Sequence, residues 1–181
     1  MSKNKLSVFI SLILRHKPEE IGIALDEHGW ANVDELIAGI KATGREIDMD
    51  ILKDIVATDE KKRYSFNNDM TLIRANQGHS IPVDVELKEA TPPCVLWHGT
   101  SERFINAIKQ QGIKPMSRLY VHLSSDVQTA TKVGVRHGDC MVLPIDADRM
   151  YRDGVKFYLS ENGVWLTKYV DWKYVIGIRK P

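Results

Sequence analysis

The 181-residue sequence has few cysteines and no long apolar run. Its two cysteines, Cys94 and Cys140, each stand beside apolar, strand-like residues, so we expect two buried free thiols rather than a disulfide or a metal site. No apolar stretch approaches the roughly 20 residues that span a bilayer, and no secretion leader is recognisable. The sequence therefore predicts a cytoplasmic protein that is neither secreted nor embedded in a membrane.

Several motifs of catalysis and nucleotide binding are also absent. The sequence has no Gly-x-Gly-x-x-Gly after a strand, no phosphate-loop signature, no nucleophile elbow and no His-Glu-x-x-His. Its six histidines are scattered, so neither a catalytic nor a structural zinc ion is expected. Four acids look like helix caps and turns rather than catalytic pairs: Asp126, Asp139, Asp146 and Asp148. With these kinds of site excluded, an organic cofactor or a phosphorylated substrate is the interpretation that agrees with the sequence.

The net charge of +1 conceals an uneven distribution. Residues 1–90 contain 12 Lys and Arg against 16 Asp and Glu, which gives −4. Residues 91–181 contain 13 against 8, which gives +5. The second half should therefore attract anions, although so small an excess does not by itself indicate nucleic-acid binding.

The first part of the chain has the pattern of three helices followed by a hairpin. Apolar residues at helical spacing predict a first helix that ends near His16, because Pro18 disfavours helical backbone before it. Two capped helices and two short strands complete the pattern, at 33–42, 49–57, 63–66 and 70–74. This order predicts a winged-helix-like domain.

The pattern of predicted secondary structure changes after residues 75–93. This stretch contains several glycines and prolines and has no sustained periodicity. From Cys94 onward, many short strands alternate with few helices, which is an α+β pattern. The predicted strands are 94–98, 118–123, 140–145, 155–159, 164–167 and 173–178, and the predicted helices are 102–111 and 126–136. A domain boundary is therefore expected between the two patterns.

Two strand ends of the second half carry polar residues that suit a binding site. An apolar run ends in His98-Gly99-Thr100, so a buried strand should present an imidazole, a backbone that a ligand can approach closely and a hydroxyl. Further on, alternation places Arg118, Tyr120 and His122 on one face of a strand. The two strand ends predict a site for a polar ligand.

Four basic residues lie at element ends or on polar strand faces: Arg15, His16, Arg63 and Arg118. Arginines suit a phosphate because the guanidinium fork offers several fixed donors and keeps its charge. His16 could donate a proton to a leaving oxygen, or it could simply cap the helix end. The polar segment 73–80 is either a linker or a wall of the site. Composition alone does not group these residues.

Six separated motifs resemble the RNA 2′-phosphotransferase family, which comprises the bacterial KptA proteins and the eukaryotic tRNA 2′-phosphotransferases of tRNA splicing. Together they cover almost the whole chain. The motifs are Leu-Arg-His-Lys-Pro at 14–18, Lys-Arg-Tyr-Ser-Phe at 62–66, Ile-Arg-Ala-Asn-Gln-Gly-His-Ser at 73–80, His-Gly-Thr at 98–100, Tyr-Val-His-Leu-Ser at 120–124 and Asn-Gly-Val-Trp-Leu at 162–166.

The resemblance implies an α+β protein with two lobes. A winged-helix-like RNA lobe would occupy residues 1–80, a linker 81–93, and an ADP-ribosyltransferase-like NAD lobe with a mixed or antiparallel β core 94–181. It implies a metal-free monomer that holds RNA and NAD in a cleft between the lobes. An internal 2′-phosphate would pass from the RNA to NAD through an ADP-ribosylated 2′-phospho-RNA intermediate. The products would be 2′-hydroxyl RNA, nicotinamide and ADP-ribose 1″,2″-cyclic phosphate.

The resemblance also assigns site residues. The catalytic set would be Arg15, His16, Arg63 and Arg118. The NAD-binding residues would be His98, Gly99, Thr100, His122, Ser124 and Val164, and the substrate residues Arg74, Gln77, Gly78, His79 and Ser80. Val164 stands where ADP-ribosyltransferases often have a catalytic glutamate. That departure suits an acceptor phosphate that is already ionised, and it disfavours the modification of protein arginines.

Two other functions stay open. An ADP-ribosyltransferase could act on terminal phosphates of nucleic acids and stop after the first step. Alternatively, the chain could be a winged-helix nucleic-acid-binding regulator whose second lobe senses a nucleotide. The acidic character of the predicted helix at 33–42 weakens the second alternative, because duplex binding needs lysines and arginines.

Overall fold

The computed structural model describes residues 3–181, and the chain divides into two compact units. Unit 1 comprises Met1–Glu86 and unit 2 comprises Leu87–Pro181. The division lies inside the stretch 81–93 that was expected to be a linker. Two residues of that stretch, Lys88 and Glu89, instead form a short edge strand of unit 2.

Unit 1 contains three helices and a three-stranded antiparallel sheet. Its elements are α1 (Lys3–Arg15), β1 (Trp30–Asn32), α2 (Val33–Ala42), α3 (Met49–Thr58), β2 (Tyr64–Phe66) and β3 (Leu72–Ala75). The predicted helices and hairpin are confirmed, because Asn32 and Asp48 cap α2 and α3 as their residue types indicated. Strand β1 was missed, since three residues directly before a helix cap show no periodicity. The strand order in the sheet is β1-β3-β2.

The core of unit 1 lies where α1 meets the other helices and the sheet. Ile10, Ile13 and Leu14 of α1 are fully buried in one cluster with Leu36 of α2 and Ile73 of β3. Burial of each such aliphatic side chain stabilises the fold by roughly 1.5–3 kcal/mol. Helix α1 is therefore anchored along its apolar face, which fixes the position of the residues at its C-terminal end.

Unit 2 contains two antiparallel sheets and three helices. Its elements are β4 (Lys88–Glu89), β5 (Val95–Ser101), α4 (Ile105–Gln111), β6 (Val121–Leu123), α5 (Val127–Gly134), β7 (Cys140–Asp146), α6 (Ala147–Arg152), β8 (Tyr158–Leu159) and β9 (Trp165–Thr167). One sheet has the order β4-β8-β9-β6, and the other pairs β5 with β7. An isolated bridge between Trp97 and Ser124 joins β5 to the residue that follows β6. All named strand pairs are antiparallel, in agreement with an α+β protein.

Several elements of unit 2 differ from those predicted, and the predicted strand 155–159 is reduced to Tyr158–Leu159. Strand β6 begins only at Val121, so residues 118–120 lie outside it. Residues 173–178 form no strand; a 3-10 turn at Trp172–Tyr174 is followed by isolated bridges at Val175 and Arg179. Helix α6 was not predicted, because its six residues are too short for a recognisable period. Its cap, Asp146, was nevertheless identified correctly as a capping residue.

The two cysteines are free, as expected, but the prediction that both are buried was wrong. Cys94 is exposed because it precedes β5, where its carbonyl accepts the N–H groups of Ala147 and Asp148 while the side chain faces outward. Cys140 is half-buried, and burial raises the pKa of its thiol.

Two further observations apply to residues 3–181. No helix among them is long and apolar enough to cross a membrane. Nor do they contain a group of three or more His, Cys, Asp or Glu side chains placed to hold a metal ion.

Candidate functional site

The C-terminal end of α1 carries the first two residues of the implied catalytic set. Arg15 is the last residue of the helix, and the N–H groups of His16 and Lys17 both donate to the Leu12 carbonyl at 2.9 and 3.1 Å. Pro18 begins a separate 3-10 turn, so the helix cannot continue. The end of the helix is thus fixed in both directions, by the buried Leu14 before it and by the proline after it.

Segment 78–80 contacts this helix end residue by residue. The Ser80 N–H donates to the Arg15 carbonyl at 3.1 Å, and the Ser80 hydroxyl lies 2.9 Å from Nδ1 of His16. Gly78 has a φ of +90°, and a Cβ there would lie 3.7 Å from the Arg15 guanidinium. The positive φ requires glycine at this turn, and the lack of a side chain keeps the space beside Arg15 open.

His79 lies in the interior of unit 1, with 2% of its surface exposed. It is hydrogen-bonded to the backbone of Leu14. Its Nε2 has no hydrogen-bond partner among the described residues, so Nδ1 makes the bond and donates to the carbonyl. Burial, followed by the positive charge of Arg15, lowers the pKa of His79 from 6.5 to about 4. The imidazole is therefore neutral at neutral pH.

The neutral state of His79 predicts a pH dependence of stability. Folded His79 binds its proton less tightly than the unfolded chain, so stability is complete above about pH 6.5 and is lost as the pH falls towards about 4. Between pH 7.5 and pH 5 this one group should lower the free energy of unfolding by about 2 kcal/mol. Chemical denaturation at the two pH values measures the loss. His79→Gln should remove it, and a variant that keeps the full pH dependence would contradict the assignment.

Arg63 lies directly before β2 and is held by Asp59, the residue that follows α3. The Asp59 carboxylate accepts the Arg63 N–H at 2.6 Å and also contacts Nη1 of the guanidinium. The Asp59 side chain is only 7% exposed, which makes this ion pair far better shielded than a surface pair. Asp59 was not predicted as a site residue, although it lies only four residues before Arg63.

His16 and Arg63 line one open cavity of about 470 Å³ within unit 1. The rest of its lining comes from one face of α1, including Ser7 and Ser11, and from the end of α3 with Asp59. The cavity therefore combines an imidazole, a guanidinium and hydroxyl groups, all of which can donate hydrogen bonds to phosphate oxygens.

The other two predicted substrate residues of unit 1, Arg74 and Gln77, have different surroundings. Arg74 donates to Glu86 at 3.0 Å, stacks 4.4 Å above the Trp30 ring and is 11% exposed. Oε1 of Gln77 is buried without a hydrogen-bond partner among the described residues. Asn76, between these two, donates from its side chain to the Lys62 carbonyl and therefore ties the end of β3 to the residue before Arg63.

In unit 2, the predicted NAD residues lie on neighbouring strands. His98 of β5 and the His122 carbonyl of β6 are joined at 3.2 Å through Nδ1 of His98. Burial lowers the pKa of His98, and the bond to His122 opposes that change. Trp97 and Ser124 exchange two backbone hydrogen bonds at 2.8 and 2.9 Å, which hold the two strands together. The structure thus brings the two strands that carry His98 and His122 side by side.

Arg118 also belongs to this group, although it lies outside the strand. Its Nη1 contacts Nδ1 of His122, four residues later. The predicted shared strand face was wrong for Arg118, but the predicted neighbourhood with His122 is correct. Because a guanidinium can only donate, Nδ1 of His122 is the acceptor in this contact.

Three other predicted residues of unit 2 have mainly backbone or packing roles in the structure. Gly99 is buried where α5 crosses β5, so the close approach expected from this glycine is made by a helix. Thr100 is 6% exposed in the same strand. The Val164 N–H donates to the Ser160 hydroxyl at 3.1 Å, and its carbonyl accepts the Ser160 N–H at 3.0 Å. Val164 thus closes a tight turn before β9.

Comparison with known proteins places the chain in a family. The family model described as RNA 2′-phosphotransferase, Tpt1 / KptA family, matches residues 1–169. A protein of Fusobacterium nucleatum is 56% identical over 172 residues, which cover 94% of this chain and 96% of that protein. Proteins of Flavobacterium johnsoniae and Streptomyces coelicolor are 51% and 48% identical over 94% of this chain and 93% of their own lengths. All three bear the name "Probable RNA 2'-phosphotransferase". The chain therefore belongs to the RNA 2′-phosphotransferase family.

Proposed function

We propose that the protein removes an internal 2′-phosphate from RNA and transfers it to NAD, which is consumed as a substrate. The products are 2′-hydroxyl RNA, nicotinamide and ADP-ribose 1″,2″-cyclic phosphate. The observation that carries the proposal is the arrangement in unit 1, where His16 and Arg63 line one cavity and Arg15 ends the same helix that delivers His16. In this proposal unit 1 is a winged-helix-like RNA lobe and unit 2 an ADP-ribosyltransferase-like NAD lobe.

The first step requires a phosphate that is held and left ionised. The 2′-phosphate attacks C1″ of the nicotinamide ribose, the bond to nicotinamide breaks, and nicotinamide leaves. Arg15 and Arg63 supply fixed positive charge for the attacking phosphate, because a guanidinium does not lose its proton near neutral pH. The Asp59 contacts support this role for Arg63, since a held guanidinium loses less conformational entropy when it binds.

The second step transfers the phosphoryl group. The ribose O2″ attacks the phosphorus, and the bond from phosphorus to the RNA O2′ breaks. The leaving O2′ needs a proton, which His16 is placed to supply as the general acid. Arg15 and Arg63 would stabilise the charge that spreads over the phosphoryl oxygens. No base is needed for the acceptor phosphate, which agrees with Val164 in place of a glutamate.

For the NAD half, the support comes from unit 2. His98 and His122 lie on adjacent strands and are joined by a hydrogen bond, with Thr100 in the same strand as His98. Imidazole and hydroxyl groups can donate hydrogen bonds to ribose hydroxyl groups or accept hydrogen bonds from them. Arg118, in contact with His122, would place positive charge beside the same group of residues.

The test is to incubate the protein without added metal, with NAD and a short RNA that carries one internal 2′-phosphate. We expect loss of the RNA phosphate, release of nicotinamide and formation of the cyclic phosphate in equal amounts. Nicotinamide release with the phosphate retained on RNA would instead indicate an ADP-ribosyltransferase. No consumption of NAD, together with salt-dependent binding of duplex nucleic acid, would indicate a binding module.

A further inference from the structure

Three residues at the end of α1 are contacted in order by a segment distant in sequence. His79 donates to the Leu14 carbonyl, the Ser80 N–H donates to the Arg15 carbonyl, and the Ser80 hydroxyl bonds His16 Nδ1. The two members of the last pair are separated by 64 positions in the chain. Because these contacts follow the same order in both segments, residues 78–80 determine how the end of the helix is oriented.

The contacts satisfy a specific need of a helix terminus. The last four carbonyls of an α-helix have no partner within the helix. Here His79 donates a hydrogen bond to the Leu14 carbonyl, and the Ser80 N–H donates one to the Arg15 carbonyl. These bonds keep the last turn from fraying, and the last turn carries Arg15 and leads into His16. The same segment therefore stabilises the helix end and sets the direction of its two functional side chains.

We propose that His79 and Ser80 are positioning residues for the Arg15-His16 pair, in which Ser80 holds the His16 imidazole through Nδ1 so that Nε2 delivers the proton. The proposal rests on the proposed function for the identity of the reaction. It reassigns the two residues, which the family motif marks only as part of the site, from binding substrate to orienting the residues that do.

The surroundings of His79 and Ser80 support this reassignment. His79 is 2% exposed, and its Nε2 lies only 3.4 Å from where a Cβ on Gly29 would be, so the ring faces the interior of unit 1. The Ser80 residue is exposed, but its hydroxyl is already bonded to His16. A serine hydroxyl can accept the Nδ1 hydrogen of a protonated imidazole and still accept it after the proton on Nε2 has left.

The proton balance of the second step follows from this geometry. Before the step, His16 carries hydrogen on both nitrogens, with Nδ1 donating to Ser80. As O2″ bonds to phosphorus, it releases its hydroxyl proton to the surrounding water. As the bond from phosphorus to O2′ breaks, Nε2 gives its proton to O2′, which becomes the RNA hydroxyl. His16 is left as the neutral Nδ1-protonated tautomer, which Ser80 continues to stabilise. Removal of the Ser80 hydroxyl should therefore lower the fraction of His16 that carries the second proton, and it should free the ring to turn.

The first test compares Ser80→Ala with Ser80→Thr, which keeps a hydroxyl. In the full-length protein with isotope-labelled histidine, NMR titration should show that Ser80→Ala lowers the pKa of His16 by about 0.5 to 1. The kcat should fall about 3- to 10-fold at unchanged KM for NAD, and the alkaline limb of its pH profile should move to lower pH. Ser80→Thr should restore both properties.

The second test compares His79→Asn with His79→Leu. The asparagine amide nitrogen is attached to Cγ, as Nδ1 is in histidine, so it can still donate to the Leu14 carbonyl. Leucine fills a similar volume but cannot donate. We expect kcat within about 3-fold of wild type for His79→Asn and a loss of about 10-fold for His79→Leu, at unchanged KM for NAD. If His79→Leu does not fold, the comparison of Ser80→Ala with Ser80→Thr tests the proposal.

Unchanged His16 titration and an unchanged pH profile in Ser80→Ala would overturn the proposal, as would an equal loss in Ser80→Thr and Ser80→Ala. The NMR measurement needs neither NAD nor RNA. If wild type does not turn over the RNA but Ser80→Ala still lowers the pKa of His16, the proposed function fails while the positioning by Ser80 stands.

Discussion

Substitution of Arg15 or His16 by alanine is expected to leave RNA that still carries its phosphate, now joined to ADP-ribose. The first step needs only an ionised phosphate and a leaving nicotinamide, whereas the second also needs a proton on the departing O2′ and charge neutralisation at phosphorus. Loss of one charge-assisted phosphate contact should slow the second step by about 30- to 1,000-fold. Neither side chain belongs to the apolar core, so the fold should be retained.

The measurement is a time course in which nicotinamide, the modified RNA and the cyclic phosphate are quantified together. In both variants the modified RNA should accumulate, which does not occur in wild type. Lys17→Ala is a matched control, because Lys17 is the next residue, is exposed and pairs with Glu20 at 2.8 Å. Release of cyclic phosphate at the wild-type rate by either variant would remove that residue from the mechanism.

The largest expected effect on stability is that of Gly99→Ala. A Cβ at Gly99 would lie 1.8 Å from the carbonyl oxygen of Ala130, and α5 would have to move off β5 to make room. The helix side of this packing is equally close, because a Cβ at Gly134 of α5 would lie 3.0 Å from the Thr100 carbonyl oxygen of β5. Backbone cannot yield as a flexible side chain can. We expect a loss of about 3 kcal/mol or more in the free energy of unfolding.

Chemical denaturation of the full-length protein at 25 °C measures this loss. Gly177→Ala is the control, because the nearest atom to a Cβ there is a Pro144 side-chain carbon at 3.5 Å, an ordinary contact. Its stability should change by less than about 1 kcal/mol. If the two variants unfold at the same denaturant concentration, the close packing of α5 on β5 is not what requires glycine at position 99.

Local signals in the sequence predicted the elements of unit 1 well. The caps Asn32 and Asp48 and the stop before Pro18 set helix boundaries, because each acts on the backbone within a few residues. Unit 2 was harder, since its strands β8 and β9 have only two and three residues. The burial of Cys94 was mispredicted for a related reason, as its apolar neighbours belong to the strand and the cysteine itself does not.

The partners of the site residues could not be predicted from local pattern. The sequence indicated that segment 73–80 was unusual, but nothing local pairs Ser80 with a histidine 64 residues earlier. The glycine at position 99 was expected to admit a ligand, whereas α5, about 30 residues later, determines the close approach. The Arg118–His122 pair was predicted because its members are four residues apart. The Asp59–Arg63 pair has the same short separation and could have been found too.

The contacts described above for the end of α1 and for Arg63 lie within one continuous stretch of the chain, from Leu14 to Ser80. In the gene, this stretch lies entirely before the codon for Leu87, the first residue of unit 2. A recombination event at that codon would therefore replace the coding sequence of unit 2 and leave these contacts unchanged. Natural selection and protein engineers alike can vary the two parts of the coding sequence separately, with these contacts inherited as one block.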